Sequence, residues 1–259
     1  MMSRERVLVA MSGGVDSSVA AALLVEQRYD VVGATMKLFC HGEDVPDRPC
    51  CSLDSVNDAR RVCEQLGIPH YVLNLESRFG HDVVDNFVEE YARGRTPIPC
   101  VRCNTFTKFR DFLKKADAID ARWIATGHYA RVVGGELRRG VDQNKDQTYF
   151  LWGIDRGVLS RMILPVGDLD KAQTRARAHA MGLEVIAEKP ESQEICFVPD
   201  GDYRGFLRQR DPASFRPGAI VDVHGRTLGR HGGVAGFTIG QRKGLGLATS
   251  RPLYVIDLD

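Results

Sequence analysis

Short apolar runs alternate along this chain with longer stretches in which apolar residues recur at helical spacing. The runs RVLVA, DVVGATMKL, PHYVLNL and RWIATGHYA read as strands. Between them SSVAAALLVEQR, LDSVNDARRVCEQLG, FGHDVVDNFVEEYARG and TFTKFRDFLKKADAI read as helices. The second helix has a start signal at Asp54 and a stop at Gly67, with Pro69 two residues beyond. This alternation predicts an α/β fold, a doubly wound parallel sheet wrapped by helices. Ligands in such sheets bind beyond the carboxyl ends of the strands. The turn after the first strand, the CVRC loop and the ATGHYAR segment all reach that edge. Near residue 200 helical periodicity fades and Gly, Pro and Arg rise. Short β-like pieces follow: AIVDVHGRTLG, VAGFTIGQ and PLYVIDLD. The expected division is residues 1–201 and a small β-rich module, 202–259. No internal repeat or low-complexity segment is evident.

Composition narrows the class. The 259 residues are 43% hydrophobic and 27% charged, ordinary for a globular protein. No apolar run reaches the ~18 residues that a membrane span needs. The start, MMSRERVLVAMSGG, lacks the apolar stretch and cleavage site of a secretory signal. A cytoplasmic protein is expected. Net charge is +1, but residues 201–259 hold nine Lys and Arg against five Asp, so +4 there is offset by −3 elsewhere. A basic C-terminal part suits a polyanion, and equally a solvated surface.

Candidate chemistry begins at SGGVDSS, placed between strand and helix. A glycine-rich turn opening a helix presents backbone N–H groups and the positive end of the helix dipole to an anion. The spacing is neither GxxxxGK[ST] nor GxGxxG, and no Lys follows the glycines. Seven cysteines without a secretion signal argue against a structural disulfide framework. Cys63 falls inside a helical pattern and reads as core, whereas Cys40, Cys50 and Cys51 flank a polar loop and receive no role. Cys100 and Cys103 form CVRC, approached by Pro97 and Pro99. Asn104 or Thr105 is expected to cap the next helix, leaving Cys103 at its N-terminus, where the dipole favours a thiolate. Cys196 lies far along the chain in ESQEICFVPDGDY. CxxC alone leaves zinc, an iron–sulfur cluster and a redox pair open, and four-thiolate zinc lacks a second CxxC.

The pattern SGGxDSS after a strand resembles the PP-loop of ATP pyrophosphatases, the adenine nucleotide α-hydrolase-like group. That resemblance implies ATP on Ala10, Met11, Ser12, Gly13, Gly14, Val15, Asp16 and Ser17, with Asp16 beside the pyrophosphate through Mg²⁺. It also implies an adenosine contact at Met36. Six segments occur in order: SGGVDSS, TPIPCVRCNTFTKF, ATGHYARV, DQNKDQTYFLWG, ESQEICFVPDGDY and GFTIGQRKGLG. Together they resemble the tRNA-specific 2-thiouridylases of bacteria and organelles, over essentially the whole chain. The resemblance implies adenylation of the C2 oxygen of the wobble uridine, then sulfur transfer that displaces AMP. A C2 carbonyl oxygen is a poor leaving group until it is phosphorylated, and a soft thiolate-type nucleophile can then attack. The base must also leave its stack.

By motif, Cys103 resembles the family's nucleophile and Cys196 its persulfide carrier. Ile98, Pro99 and Cys100 match the stretch that touches the target base. Gly127 matches an ATP contact, His128 a tRNA contact, and Lys145, Asp146 and Gln147 a further tRNA-contacting stretch. Many family members have Asp where this chain has Cys100. Three cysteines instead resemble thiolases holding a [4Fe–4S] cluster on three thiolates, here Cys100, Cys103 and Cys196. Two sulfur routes therefore stand. One is a Cys196 persulfide followed by a Cys103–Cys196 disulfide, and the other a cluster-bound hydrosulfide. The implied partners are tRNA and a sulfur donor, a persulfide-carrying protein or sulfide, without a membrane. Relatives usually continue into a further C-terminal β-barrel, so a fragment is expected here. Rival readings are a PP-loop enzyme adenylating a small molecule and a non-catalytic iron–sulfur or RNA-binding protein.

Overall fold

The computed structural model describes residues 4–39, 53–190, 195–198 and 200–259. The elements run β1 (Arg6–Ala10), α1 (Val15–Glu26), β2 (Asp30–Lys37), α2 (Leu53–Gln65), β3 (His70–Asn74), α3 (Glu76–Phe79), α4 (Asn86–Ala92), α5 (Pro99–Arg102) and α6 (Phe109–Ala118). They continue with β4 (Trp123–Ala125), β5 (Ala130–Val133), β6 (Glu136–Arg139), α7 (Arg156–Leu159), β7 (Met162–Ile163), α8 (Lys171–Ala180), α9 (Glu184–Ala187), α10 (Tyr203–Arg210), β8 (Gly218–Val221) and β9 (Thr227–His231). They fall into two compact units, residues 1–82 with 100–197, and residues 83–99 with 198–259.

The first unit is the expected doubly wound α/β fold. Its sheet is parallel throughout, in the order β3-β2-β1-β4-β7. Successive side chains of β1 point to opposite faces. Val7 and Val9 join a core with Val19 and Leu24 of α1 and Val62 of α2. Leu8 joins Val32, Phe109, Phe112, Ile124 and Leu151 on the other face. A central parallel strand is covered on both sides, which is why RVLVA reads as a continuous apolar run. Each of these aliphatic side chains contributes about 1.5–3 kcal/mol by leaving water. Connections run outward from β1 to β3 on one side, then to β4 and β7 on the other. The reversal between β1 and β4 opens a crevice at their carboxyl ends.

Several expectations are adjusted. The fourth strand stops at Ala125, and Ala130 begins a separate antiparallel hairpin, β5–β6. The helix expected from Thr105 begins at Pro99 and runs through a wide π-type turn, Cys103–Lys108, into α6. Proline suits a first helical position because that N–H has no partner anyway. Asn104 and Thr105 are therefore not caps. Asn104 Nδ2 donates to Phe150 O at 3.1 Å, and Thr105 Oγ1 to Val101 O at 2.8 Å. The helix expected over 79–94 is interrupted by another π-type turn, Gly80–Asp85, before α4.

In the second unit α4 and α10 supply aromatic rings to one cluster. Tyr91 stacks on Tyr203 at 5.2 Å, and Phe87 meets Phe206 edge-on at 6.2 Å. Burial, with Tyr203 adding to it, pushes the Tyr91 hydroxyl up to about 12. The expected piece at 219–229 folds as the β8–β9 hairpin with an irregularity at Ile220/Val221. Asp222 closes its turn, accepting from the Arg226 guanidinium and from the N–H groups of His224 and Arg226, which holds the carboxyl down to about 2. Residues 234–241 form only a short 3₁₀ turn, and 252–259 no regular strand. Among the described residues no helix is long and apolar enough to cross a membrane.

Candidate functional site

The SGGVDSS turn leaves β1 at the centre of the sheet. Gly13 takes φ +71°, and a Cβ there would stand 2.3 Å from the Ser55 carbonyl oxygen of α2. Only glycine fits this left-handed, crowded position. Gly14 is the N-cap of α1, and no side chain caps that end. The turn is braced from within. Ser17 Oγ accepts from Ser12 N at 3.2 Å and donates to Gly14 O at 3.0 Å. Ser18 Oγ also donates to Gly14 O, at 2.9 Å. These hydroxyls stiffen the loop, and its amide N–H groups at the start of a twelve-residue helix could hold an anion.

Gly127 follows β4, the strand beside β1. A Cβ on it would lie 2.5 Å from both Asp16 C and Ser17 N. Backbone meets backbone, so the ATGHYA turn is pressed onto the SGG loop. His128, one residue on, shares a 2.7 Å hydrogen bond between Nδ1 and Thr126 Oγ1, and its ring lies 6.2 Å from that of Phe109. Burial, reinforced by the charge of Lys108, drives its pKa down to about 3, so the imidazole is neutral at physiological pH.

Asp16 is tightly engaged. Lys171 Nζ stands 2.8 and 3.0 Å from its two carboxylate oxygens, and the Tyr129 hydroxyl donates to it at 2.8 Å. On the opposite side of the loop Lys189 Nζ donates to Gly13 O at 3.2 Å and to the buried Asp58 carboxylate at 2.5 Å. A loop without its own lysine thus has two, delivered from residues 155 and 176 positions away.

The segments that carry Cys103 and Cys196 adjoin each other through Phe79. Cys103 is buried in the π-type turn, whose Lys108 faces His128. Such wide turns recur at functional sites. Cys196 is half-buried and followed by Phe197, whose ring lies 5.7 Å from Phe79 and 6.1 Å from Phe39. Phe79 belongs to α3, which packs on the Cys103–Lys108 turn. The anchor of one cysteine therefore adjoins the element that carries the other.

Residues 5–200 match a family model described as tRNA methyl transferase HUP domain, and residues 204–259 one described as tRNA methyl transferase PRC-barrel domain. The chain is 54% identical over 267 residues to the tRNA-specific 2-thiouridylase MnmA of Carboxydothermus hydrogenoformans, covering 100% of this chain and 73% of that protein. The chain belongs to the MnmA 2-thiouridylase family. The Symbiobacterium thermophilum member is 50% identical, with 98% of this chain and 68% of that protein covered. Among solved structures, a 4-thiouridine synthetase–RNA complex with bound ATP shares 18% identity and a TM-score of 0.47, over 80% of this chain and 50% of that one.

Of the stretch expected to hold ATP, Ala10 ends β1, Met11 to Gly14 form the turn and Val15 to Ser17 open α1, while Met36 is the penultimate residue of β2 and half-buried. Cys100 lies in the first helical turn and is exposed. Cys103 lies a turn further in, beyond the reach of the strongest dipole field. Ile98 is exposed and Pro99 buried. Of the tRNA-matching stretch, Asp146 accepts from Gly140 N and Thr148 Oγ1, and Gln147 Oε1 accepts from Tyr129 N at 2.9 Å. Both side chains are half-exposed and each bonds to neighbouring groups of the fold. Among the described residues no three His, Cys, Asp or Glu side chains are grouped to hold a metal ion. Cys100, Cys103 and Cys196 are all described, and nothing in their placement supports the expected [4Fe–4S] cluster. Cys40, Cys50 and Cys51, with Glu191 to Glu194 of the ESQE segment, lie outside the described residues.

Lys171, Tyr129 and Lys189 escaped the sequence reading. Lys171 opens α8, whose sequence KAQTRARAHA has almost no apolar periodicity. One signal does mark it. Asp170 and Gln173 form a capping box, with Asp170 Oδ1 accepting from Gln173 N at 2.7 Å and Gln173 Oε1 from Asp170 N at 2.9 Å.

Proposed function

We propose that this chain uses ATP to exchange the C2 oxygen of a tRNA wobble uridine for sulfur, in the cytoplasm. The observation that carries this reading is the meeting of the anion cradle and the Cys103 turn at one sheet edge, joined through Gly127 and His128. The reaction named for the curated relatives supports it. Residues 1–201 would form the catalytic part and 202–259 the accessory module.

In this reading the SGG loop amides hold the pyrophosphate and Met36 packs on the adenine. Ile98, Pro99 and Cys100 border the extruded uracil, whose O2 attacks the α-phosphorus as pyrophosphate leaves. Asp16 would hold Mg²⁺, which would screen phosphate charge. For that, Lys171 must turn from Asp16 towards a phosphate oxygen, and Tyr129 keeps the carboxylate oriented. Neutral His128 offers a hydrogen bond to RNA without added charge.

Sulfur transfer follows the persulfide route. The Cys103 thiolate attacks the inner sulfur of the Cys196 persulfide, forming a disulfide and releasing hydrosulfide. Hydrosulfide adds at C2 and AMP departs with the former O2. An external thiol reduces the disulfide, and the sulfur donor reloads Cys196. No step passes through a cluster.

The test is mass spectrometry of tRNA nucleosides after incubation with ATP and a persulfide source. One 2-thiouridine should form per AMP, and none with Cys103→Ser. Pyrophosphate release that ignores tRNA, with no 2-thiouridine formed, would move the chain to the small-molecule adenylating class.

A further inference from the structure

We propose that Tyr149 and Trp152 form a stacking platform for unpaired nucleobases of the RNA, beside the Cys103 turn. The proposal rests on the tRNA reading above and assigns a contact which that reading does not supply. Asp146 and Gln147 are half-exposed and hydrogen-bonded to neighbouring groups, as described. Immediately after them the chain makes successive three-residue turns, with Phe150 N bonded to Gln147 O, Leu151 N to Thr148 O and Ile154 N to Leu151 O. Residues three apart in such turns share a face. Leu151 and Ile154 fill the core, 0% and 6% exposed, whereas Tyr149 is 58% and Trp152 69% exposed. Two large rings therefore stand outward from a backbone fixed by its buried neighbours.

Their location is equally defined. Asn104 Nδ2 donates to Phe150 O at 3.1 Å, and a Cβ on Gly153 would lie 2.4 Å from Thr105 Oγ1. The aromatic segment is thus docked on the turn that carries Cys103. The same turns and their chain neighbours carry cations. Arg102 lies over the half-exposed Phe106 ring at 4.8 Å, Arg110 and Arg156 are exposed, and Lys108 and Lys145 are half-exposed. Aromatic faces beside Lys and Arg are the chemistry that holds single-stranded nucleic acid, because every base has a π-face and every nucleotide a phosphate. A uridine extruded towards Cys103 leaves its neighbours unstacked, and these rings restore that stacking.

The chain has two tryptophans. Trp123 is tied by its indole N–H to Glu5 at 2.8 Å, so the exposed indole belongs to Trp152. The experiment titrates the full chain with an anticodon stem–loop RNA carrying an unmodified wobble uridine. Binding is followed by filter retention of labelled RNA and, in parallel, by tryptophan emission. The difference between wild type and Trp152→Phe isolates the Trp152 signal, which should quench in proportion to bound RNA. Trp152→Ala and Tyr149→Ala should each weaken retention roughly 5- to 150-fold, while Trp152→Phe keeps most of the affinity. Full retention with unchanged Trp152 emission, or Trp152→Ala with wild-type affinity, overturns the platform and leaves the tRNA reading standing. RNA not retained by the wild-type chain overturns both.

Discussion

Gly127→Ala should damage the turn after β1, the proposed nucleotide site, out of proportion to its size. The added methyl would sit 2.5 Å from Asp16 C and Ser17 N and 2.8 Å from Asp16 O. Ordinary contact begins near 3.4 Å, so the two segments must part by about 0.9 Å. All three atoms are backbone, so no side-chain rotation relieves the clash. Overpacking of this kind costs about 1–3 kcal/mol of stability. The displaced element is the first turn of α1, which carries the cradle amides and Asp16. Misplacement by about 1 Å costs roughly 100-fold in rate. Urea denaturation measures the first quantity and tRNA-dependent pyrophosphate release the second. The expectation is a stable, folded variant whose turnover falls by about two orders of magnitude. Wild-type stability together with wild-type pyrophosphate release would refute the reasoning, because the two backbones would then not be in contact in solution.

Lys171→Met leaves the Asp16 carboxylate with Tyr129 but without its cation, and should weaken ATP binding about 10-fold in calorimetric titration, a loss of ~1–2 kcal/mol. Asp58→Asn removes the charged partner of Lys189 and should lower stability by about 1–3 kcal/mol in the same urea assay. His128 is held neutral with its pKa at about 3, below the unfolded value near 6.5. Its contribution is complete above pH 6.5 and is lost as pH falls towards 3, because the unfolded chain alone takes up the proton. Between pH 7 and 5 this amounts to about 2 kcal/mol, and His128→Asn should flatten that limb of the stability–pH curve.

The strands around the sheet centre were legible because burial on both faces demands an unbroken apolar run, and RVLVA and DVVGATMK supply one. The tight turn after β1 was legible because a left-handed residue pressed against Ser55 must be glycine, and SGG shows it. Helix starts were less so. Pro99 begins a helix that Asn104 and Thr105 appear, by residue type, to cap. Those side chains are drawn instead to Phe150 and Val101, a choice made by tertiary contact. The KDQ stretch looks solvated in one dimension, yet two of its three side chains bond inward.

By itself the sequence determined the parallel sheet and the tight glycine turn after its first strand, since these follow from periodicity and local backbone constraints. Only the folded chain decided which cations serve that loop, which thiols lie inside and which face of the 147–154 turns meets solvent. A lysine 155 residues from its aspartate leaves no periodic trace. Such pairings exist because the crossovers of the sheet carry distant residues to one edge, where charge and hydrogen-bond complementarity select the partners.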